Sequence, residues 1–537
     1  MILMNRIRLL FVLPLLLTAC AGNEDAASHV FRYNESNGVA TLDPAFAKSQ
    51  ALMWPVHQLY STLVETDDSL HLRPLLARHW QVSEDGLTYT FTLRQDVFFH
   101  DDAVFEGGKG RKLLAKDVAF SLGRLVDVQV ASTGAWIFHD IVSDTAPFRA
   151  INDSVFLLKL KRPYGSILKV LTMPYCSVVA QEAVVAYGAD FRRHPVGTGP
   201  FQLVAWAEGQ SMVLKKNSHY FERDEEGRRL PYLDGIQISF AENKASEFLS
   251  FQQNKIDFIN DIDPGLKDEL LTKTGKLKKD WQKKARLQVT PFLNTEYLGI
   301  LSDSSKLHYQ HPLNNILVRR AIASAINKNK MLLYLRNSIG IPAWDGFVPP
   351  SLLDNRDPGY EQYDPKEARR LLAMAGYNTS NPVPEFSLVT APAYTSLGSF
   401  IVNDLNQVGF RCKLEIIQKG LLLQKMSAGQ VVFFRGSWIA DFPDAINYMS
   451  VFYSKNPAPP NYTRFSDSVF DAAFEEYLLE KNEVKRRSFL QQMDSRIRDR
   501  VPIIPLWYDQ VLHLSSPDLV GFHPNSFNML ELRRVKK

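Results

Sequence analysis

The sequence predicts a multidomain α/β protein, because strand and helix patterns alternate along a chain that is too long for one core. At 537 residues, two or three domains are expected. Residues 88–93 alternate threonine with apolar side chains, which is the period of a half-buried strand. Residues 318–326 are rich in alanine, which favours a helix. Hydrophobic residues make up 45% of the chain, so its domains can be well packed.

The other elements are predicted in chain order by local patterns. They are an extended segment at 31–42, a helix at about 49–64, a turn at 85–86, a helix opening at 116–117, a strand at 156–160, a turn at 196–201 and a strand at 502–508.

Residues 363–377 carry the signals of a complete helix. Asp364 is placed to cap it, and Pro365 occupies the first helical position. Glu367 would complete a capping box, and Gly376 would end the helix.

The amino terminus predicts secretion and a lipid anchor. Arg6 and Arg8 precede an apolar stretch at 9–17, which is too short to span a bilayer and indicates a signal peptide over residues 1–20. The string Leu17-Thr18-Ala19-Cys20 is similar to a bacterial lipoprotein box, with cleavage before Cys20 and lipid on its sulfur. The alternative is a signal peptide with an incidental cysteine. Residues 21–29 are small and polar, as a tether should be.

Charge and cysteine usage exclude two other classes. The formal charge of +4 is small for this length, which argues against nucleic-acid binding. The basic run at 273–286 is interpreted as a solvated face or loop. Cys176 and Cys412 are too few and too scattered for a disulfide scaffold, so we expect two buried thiols.

No sequence motif supports an enzyme, a cofactor or a metal centre. The chain lacks His-Glu-x-x-His, Gly-x-Ser-x-Gly and Cys-x-x-Cys, and its 12 histidines are scattered. Gly197-Thr198-Gly199 lacks the further glycine or lysine of a phosphate loop. Asp441 and Asp444 are near enough in sequence to act as paired carboxylates, but a general acid/base pair needs a geometry that spacing does not supply.

One long, ordered stretch resembles a known family. From Pro74 it reads Pro74-Leu75-Leu76-Ala77-Arg78-His79-Trp80, Asp85-Gly86-Leu87-Thr88-Tyr89-Thr90-Phe91-Thr92-Leu93-Arg94, Phe99-His100-Asp101 and Ala115-Lys116-Asp117-Val118-Ala119-Phe120-Ser121-Leu122. This string resembles the peptide/nickel family of extracellular solute-binding proteins, which serve ABC importers. Similarity continues through residues 197–201 and 318–326 and covers about 30–530. Asp102 replaces the family's glycine, and an insertion at 107–112 precedes the helix.

The resemblance implies a two-lobed periplasmic-binding fold of type II with three subdomains and a ligand cleft between the lobes. Lobe I would combine residues 30–62, 181–290 and 509–537. A subdomain at 63–180 would sit on lobe I, and lobe II would span 291–508.

The same resemblance points to residues 434–444 as the ligand site. Oligopeptide-binding relatives carry a similar Trp-x-x-Asp here, so Asp441 would pair with a peptide's ammonium and Trp438 would match the tryptophan. Arg435 stands where some oligopeptide-binding relatives carry an arginine that can contact a ligand carboxylate. The backbone of Gly436, Ser437 and Ile439 would pair with the peptide. Composition alone supports a plainer interpretation, a strand end followed by a proline turn.

We therefore expect a monomeric lipoprotein that captures short peptides for an ABC permease and has no cofactor. It would lie in the periplasm or on the outer face of the cytoplasmic membrane, and Ala21 after Cys20 is compatible with the outer membrane. The alternatives are another small solute on the same fold (a nickel chelate, haem or a sugar), a surface lipoprotein without transport, and a secreted hydrolase.

Overall fold

The computed structural model describes residues 29–303, 305–306, 310–353 and 359–537. The predicted signal peptide, Cys20 and all of the tether except its last residue lie outside the described residues. Within the described ranges, no helix is long and apolar enough to cross a membrane.

The described strands are numbered in chain order. They are β1 (Val30–Asn34), β2 (Val64–Thr66), β3 (Leu72–Pro74), β4 (Ala77–Val82), β5 (Thr88–Leu93), β6 (Phe148–Asn152), β7 (Val155–Lys159), β8 (Phe201–Ala207), β9 (Ser211–Lys216), β10 (Gly235–Ser239), β11 (Phe258–Asn260), β12 (Arg286–Ile300), β13 (Ile341–Pro342), β14 (Phe386–Thr390), β15 (Cys412–Ile416), β16 (Phe433–Ile439) and β17 (Ile503–Ser515).

The described α-helices are numbered likewise. They are α1 (Gln50–Leu59), α2 (Ala115–Val126), α3 (Ile167–Val170), α4 (Gln181–Tyr187), α5 (Lys244–Gln252), α6 (Pro264–Leu270), α7 (Ile316–Ala325), α8 (Lys328–Arg336), α9 (Pro365–Met374), α10 (Thr395–Gln407), α11 (Lys419–Ser427), α12 (Ala445–Met449), α13 (Ser468–Leu479) and α14 (Glu483–Arg500).

Two long strands at the centre of the main sheet join its two ends. The 11-stranded sheet has the order β15-β14-β16-β12-β17-β11-β1-β10-β9-β8, with β13 added beside β17. Strands β12 and β17 are antiparallel from Arg286 opposite Ser515 to Gly299 opposite Ile503. Their register shifts between Pro291 and Thr295. One half of the pair therefore continues into β11 and β1, and the other half continues into β16 and β14.

A separate antiparallel sheet of four strands, β4-β5-β7-β6, lies early in the chain. Its strand β5 confirms the alternation predicted at 88–93, since Tyr89, Phe91 and Leu93 are buried while the threonines are half-buried. Helix α2 packs on this sheet through its apolar face, which includes Val118 and Leu122. The mixed α/β fold class is confirmed.

Several element boundaries differ from the sequence expectation. Helix α1 ends at Leu59, because Tyr60 is already extended and β2 follows at Val64. The predicted strand at 502–508 continues as β17 to Ser515, because β12 and β11 pair with it along its length. In α9, Asp364 accepts the Lys366 and Glu367 amides as predicted.

The capping box predicted for α9 is wrong in one half. Glu367 pairs with Arg370, with oxygen–nitrogen distances of 2.6 and 2.7 Å, instead of reaching back to the amide of Asp364. That amide donates to the carbonyl of Ser324. An arginine three residues later on the same helix face offers the carboxylate a charged partner.

The cores lie on both sides of the central sheet. One cluster fills the space between β12, β14 and β16 and the helices α7 to α10, and it includes Leu298, Ile322 and Leu405. A second runs from the small sheet to the helices α12 to α14. Cys176 and Cys412 are free and buried, which confirms the two predicted thiols.

Candidate ligand-binding cleft

A cavity of about 1640 Å³ lies beside the register shift of β12. Phe292, within that shift, forms part of its wall. One side is built from Trp438, Asp441 and their neighbours, which lie between β12 and β17 in the chain. The opposite side comes from segments outside that interval, including Tyr175 and Arg533. Ligand pockets of drug size occupy roughly 300–1,000 Å³, so this cavity has room for a larger ligand together with water.

Strand β16 brings the predicted site residues to the cavity. It pairs with β12 so that Asn294 faces Ile439 and Thr295 faces Trp438. The amide of Ala440 donates to the carbonyl of Leu293 and extends this pairing by one residue. A turn over 441–444 then leads into α12, whose first turn is capped by Asp444.

Asp441 presents an unpaired carboxylate to the cavity. Its residue is exposed, it lines the cavity, and it makes no ion pair with any described residue. Asn447 holds it in place, because Nδ2 of Asn447 donates to Oδ2 of Asp441 at 3.2 Å. Oδ1 of the same amide accepts the indole N–H of Trp438 at 2.9 Å and the backbone N–H of Asp441 at 3.3 Å.

The surroundings of Asp441 disfavour its charge. Burial by the cavity walls raises the pKa of the Asp441 carboxyl, and the Asn447 hydrogen bond opposes the rise only in part. Burial also raises the pKa of Tyr175 across the cleft, and the negative charge of Asp441 adds to that effect. No ion pair with a described residue offsets the effect of burial on this carboxyl.

Of the six ligand-binding residues predicted from the sequence, three line the cavity. Trp438, Ile439 and Asp441 border it, and Ile439 is 52% exposed. Gly436 is buried against the ring of Tyr297, and Ser437 is exposed outside the cavity lining.

Arg435 lies away from the cavity lining and is held within the protein. Its guanidinium pairs with the Glu296 carboxylate, which comes from the neighbouring strand β12. Its central carbon also lies 3.4 Å from the centre of the Tyr394 ring. The Arg435 guanidinium, for which the resemblance implies contact with a ligand carboxylate, is therefore engaged by Glu296 and Tyr394.

The opposite wall carries a charged cluster that the sequence did not reveal. Arg533 donates to Glu531 at 2.7 Å, to Glu65 at 2.8 Å and to Glu222 at 2.5 Å. All four residues line the cavity. They are separated by up to 468 residues in the chain, and no local motif marks them. The cluster contains three carboxylates around one guanidinium, and each carboxylate has a partner.

Asp444 has surroundings opposite to those of Asp441. It is 2% exposed and accepts hydrogen bonds from Ser166 and Tyr477, both at 2.7 Å. Burial alone would raise the pKa of Asp444, but Lys169 and Arg486, with these hydrogen bonds, hold it below its ordinary value. Asp441 lines the cavity, whereas Asp444 is buried among Ser166, Tyr477 and two cations. The two carboxylates therefore do not share one site.

The described residues contain no group of three His, Cys, Asp or Glu side chains able to hold a metal ion.

Comparisons with known proteins agree with this architecture. The model of the bacterial extracellular solute-binding proteins, family 5, matches residues 71–460. The glutathione-binding protein GsiB of Salmonella paratyphi A is 25% identical over 493 residues, which cover 90% of this chain and 89% of that protein.

Solved structures also share the fold. HbpA2 from Haemophilus parasuis superposes with a TM-score of 0.82 at 22% identity, covering 94% of this chain and 99% of that one. The Helicobacter pylori binding protein DppA, in complex with the peptide STSA, superposes with a TM-score of 0.72 at 22% identity, covering 95% and 98%.

The two aspartates should affect stability with opposite signs. A carboxyl whose folded-state pKa is raised favours folding only while protonated, and it costs stability as the pH rises through that pKa. Asp441→Asn should therefore raise the Tm of the ligand-free protein at neutral pH and have no such benefit in acid below about pH 4. Thermal unfolding followed by calorimetry at both pH values measures this.

Asp444→Asn is the matched control. Its lowered pKa means that the ionised carboxylate stabilises the fold at neutral pH, and that this stability is lost as the pH falls through the folded-state pKa. Removing one partner of a buried ion pair costs about 3–5 kcal/mol, so the Tm should fall. A lower Tm for Asp441→Asn as well would contradict the assignment of an unpaired charge.

Proposed function

The chain belongs to family 5 of the bacterial extracellular solute-binding proteins, and from that premise we propose that it captures short peptides and delivers them to an ABC permease. The family places the protein outside the cytoplasm as the substrate-binding component of an importer. Its relatives and its fold are those of binding proteins rather than enzymes.

The observation that carries the peptide proposal is the unpaired carboxylate of Asp441 in the cavity wall. A ligand ammonium that enters the cleft loses water, and this is costly unless a charged partner replaces it. Asp441 supplies that partner through a charge-assisted hydrogen bond. Asn447 and Trp438 hold the carboxylate in place, so little ordering remains to be done when the ligand arrives.

The edge of β16 supports pairing with a peptide backbone. β12 occupies one side of β16 along its whole length, whereas β14 pairs on the other side only at Phe434. The last residues of β16, up to Ile439, therefore have a side without a described ladder partner. A peptide added there as a strand would be bound through its main chain, which permits varied side chains.

Cations of the cavity wall can receive the other end of a peptide. Lys48, Arg162 and Arg534 line the cavity, and none makes an ion pair with a described residue. With Asp441 they make the cavity suitable for a ligand that carries charges of both signs. Glutathione, a tripeptide with a free ammonium and two carboxylates, belongs to this class, and GsiB is named for binding it.

We propose the lobe division already stated, with lobe II at 291–508 closing on lobe I and its subdomain. The hinge would be the register shift near Pro291, where the ladder between β12 and β17 is interrupted. Closure would bury the ligand and create the surface that the permease recognises. We propose a monomer, since one chain supplies both walls of the cavity.

We also propose that Cys20 carries the lipid anchor. The preceding residues 17–19 and the apolar stretch at 9–17 support this processing. In cells, a chain whose residues 1–20 are replaced by the cleavable signal peptide of a non-lipidated secreted protein should enter the soluble periplasmic or culture fraction, while the unaltered chain should sediment with membranes. Sedimentation of both forms would contradict the anchor.

The other interpretations differ in what the cleft holds. A nickel chelate, haem or a sugar would need a site other than the Asp441 ammonium partner. A surface lipoprotein without transport would leave the cleft empty.

Native mass spectrometry of the protein lacking residues 1–20, as purified and after mild unfolding, tests the function. We expect a ladder of peptide masses, because backbone pairing tolerates many side chains. One non-peptide mass, or a metal, would overturn the peptide proposal in favour of another solute. A spectrum that stays empty after incubation with a peptide mixture would favour the non-transport alternative.

Acetylating the peptide's amino terminus should identify Asp441 as the ammonium partner. Trialanine binding to the wild type should weaken roughly ten- to a hundredfold on acetylation, since a hydrogen bond to a charged group contributes about 1.5–3 kcal/mol. Asp441→Asn should bind free trialanine correspondingly weakly and should be nearly insensitive to acetylation. Titration calorimetry measures all four affinities.

Asp68→Asn is the control for general cavity charge, because Asp68 also lines the cavity without an ion pair among the described residues. It should keep the full sensitivity to acetylation. Equal sensitivity in Asp441→Asn and in the wild type would remove Asp441 from the ligand site.

A further inference from the structure

We propose that a cluster of Ser166, Lys169, Asp444, Tyr477 and Arg486 is a clasp between the two sides of the cleft, and that Asp444 is a positioning residue which sets how long the ligand is retained. This inference rests on the proposed function in that it assigns the clasp to a closing cleft. The clasp itself is defined by contacts that do not depend on the ligand's identity.

The clasp joins parts of the chain that lie on opposite sides of the hinge strands. Ser166 and Lys169 precede β12 and follow the four-stranded sheet. Asp444, Tyr477 and Arg486 lie between β12 and β17, on or beside α12, α13 and α14. The chain passes between these two parts only through β12 and β17, so every contact between the groups spans the cleft.

Two contacts across the cleft meet at one oxygen of Asp444. Ser166 Oγ donates to Oδ2 at 2.7 Å, and Lys169 Nζ lies 3.3 Å from the same oxygen. The other oxygen accepts the Tyr477 hydroxyl at 2.7 Å and the Ile446 amide at 3.1 Å, both from the same side of the hinge as Asp444. Oδ2 of Asp444, its outer oxygen, thus contacts residues on the opposite side of the cleft. Oδ1, its inner oxygen, contacts residues on the same side as Asp444.

The surfaces around the carboxylate fit closely. Arg486 lies 4.3 Å above the Tyr477 ring, donates to its hydroxyl at 2.7 Å, and lies 3.4 Å from Oδ2 of Asp444. A methyl group at Gly165 would lie 2.6 Å from Nη1 of Arg486. The Arg486 and Asp444 side chains are 8% and 2% exposed. A side chain at Gly165 would require Arg486 to shift.

Opening would not leave the Asp444 charge without a partner. Asp444 would lose Ser166 and Lys169 but keep Arg486, Tyr477 and the Ile446 amide, while water reaches its outer oxygen. The clasp therefore biases the closed form without making it permanent, as a transport protein that must release its ligand requires.

The clasp and the ligand anchor share one short segment. Asp441 and Asp444 lie on the turn before α12, and Asn447 of that helix holds the Asp441 carboxylate. A ligand held by Asp441 therefore also restrains the turn that presents Asp444 to Ser166. Binding and closure then favour each other because both require one position of this turn.

The test uses two variants on the side of the cleft opposite Asp444. Ser166→Ala removes the hydrogen bond to Asp444, and Lys169→Gln removes the cation that lies 3.3 Å from the same carboxylate. The protein lacking residues 1–20 carries dyes at Val128→Cys and Met374→Cys, two exposed positions, since both thiols of the described residues are buried. Single-molecule energy transfer reports the open and closed populations, and stopped flow with trialanine reports the association and dissociation rates.

Each variant should shift the ligand-free population toward the open form and should raise the trialanine dissociation rate about three- to tenfold, with the association rate nearly unchanged. Ser454→Ala is the matched control, because its hydroxyl donates to Asp471 at 2.5 Å within one side of the hinge. It should change neither quantity.

A purely structural role would lower the Tm of Ser166→Ala without moving the open and closed populations, and that result would overturn the clasp. If trialanine binds to no variant and not to the wild type, the peptide proposal fails, but the ligand-free populations still decide the clasp. Unchanged populations in both Ser166→Ala and Lys169→Gln would refute it.

Discussion

The antiparallel pairing of β12 with β17 is the interaction on which the rest of the structure depends. These strands, of 15 and 13 residues, belong to both ends of the main sheet at once. A continuous ladder would make the sheet one rigid body. The register shift near Pro291 removes ladder hydrogen bonds at the point where the cavity opens. Phe292, within the shift, and Trp438 and Ile439, opposite its end on β16, line the cavity.

That placement explains why one short segment can carry both ligand recognition and closure. β16 ends at Ile439 beside the shift, and the turn that follows must reverse direction into α12. Asp441 and Asp444 therefore point into different surroundings, although only two residues separate them. One carboxylate faces the cavity without an ion pair to any described residue, and the other is enclosed by two cations and two hydroxyls.

The sequence predicted the features that depend on local periodicity or on a long string of ordered motifs. The alternation in β5 and the cap of α9 follow from neighbouring residues, and the family resemblance located the stretch that borders the cavity. The partners of Arg435 could not be predicted in this way. Glu296 reaches it through cross-strand pairing over 139 residues, and Tyr394 comes from a different element. The wall cluster around Arg533 escaped prediction for the same reason, since its members meet only in the folded chain.

The different surroundings of the two aspartates suit the proposed role as a carrier. A carboxylate already neutralised by the protein would gain little from a ligand ammonium, so a binding carboxylate must be left in need of a cation. A carboxylate in that state makes the empty protein less stable at neutral pH. The bound ligand then supplies the missing charge and stabilises the folded, closed form by mass action. Asp444 is neutralised within the protein, and so its contacts across the cleft can add to closure without competing for the ligand. The division of labour between two carboxylates on one turn allows the empty cleft to open and the filled cleft to stay closed.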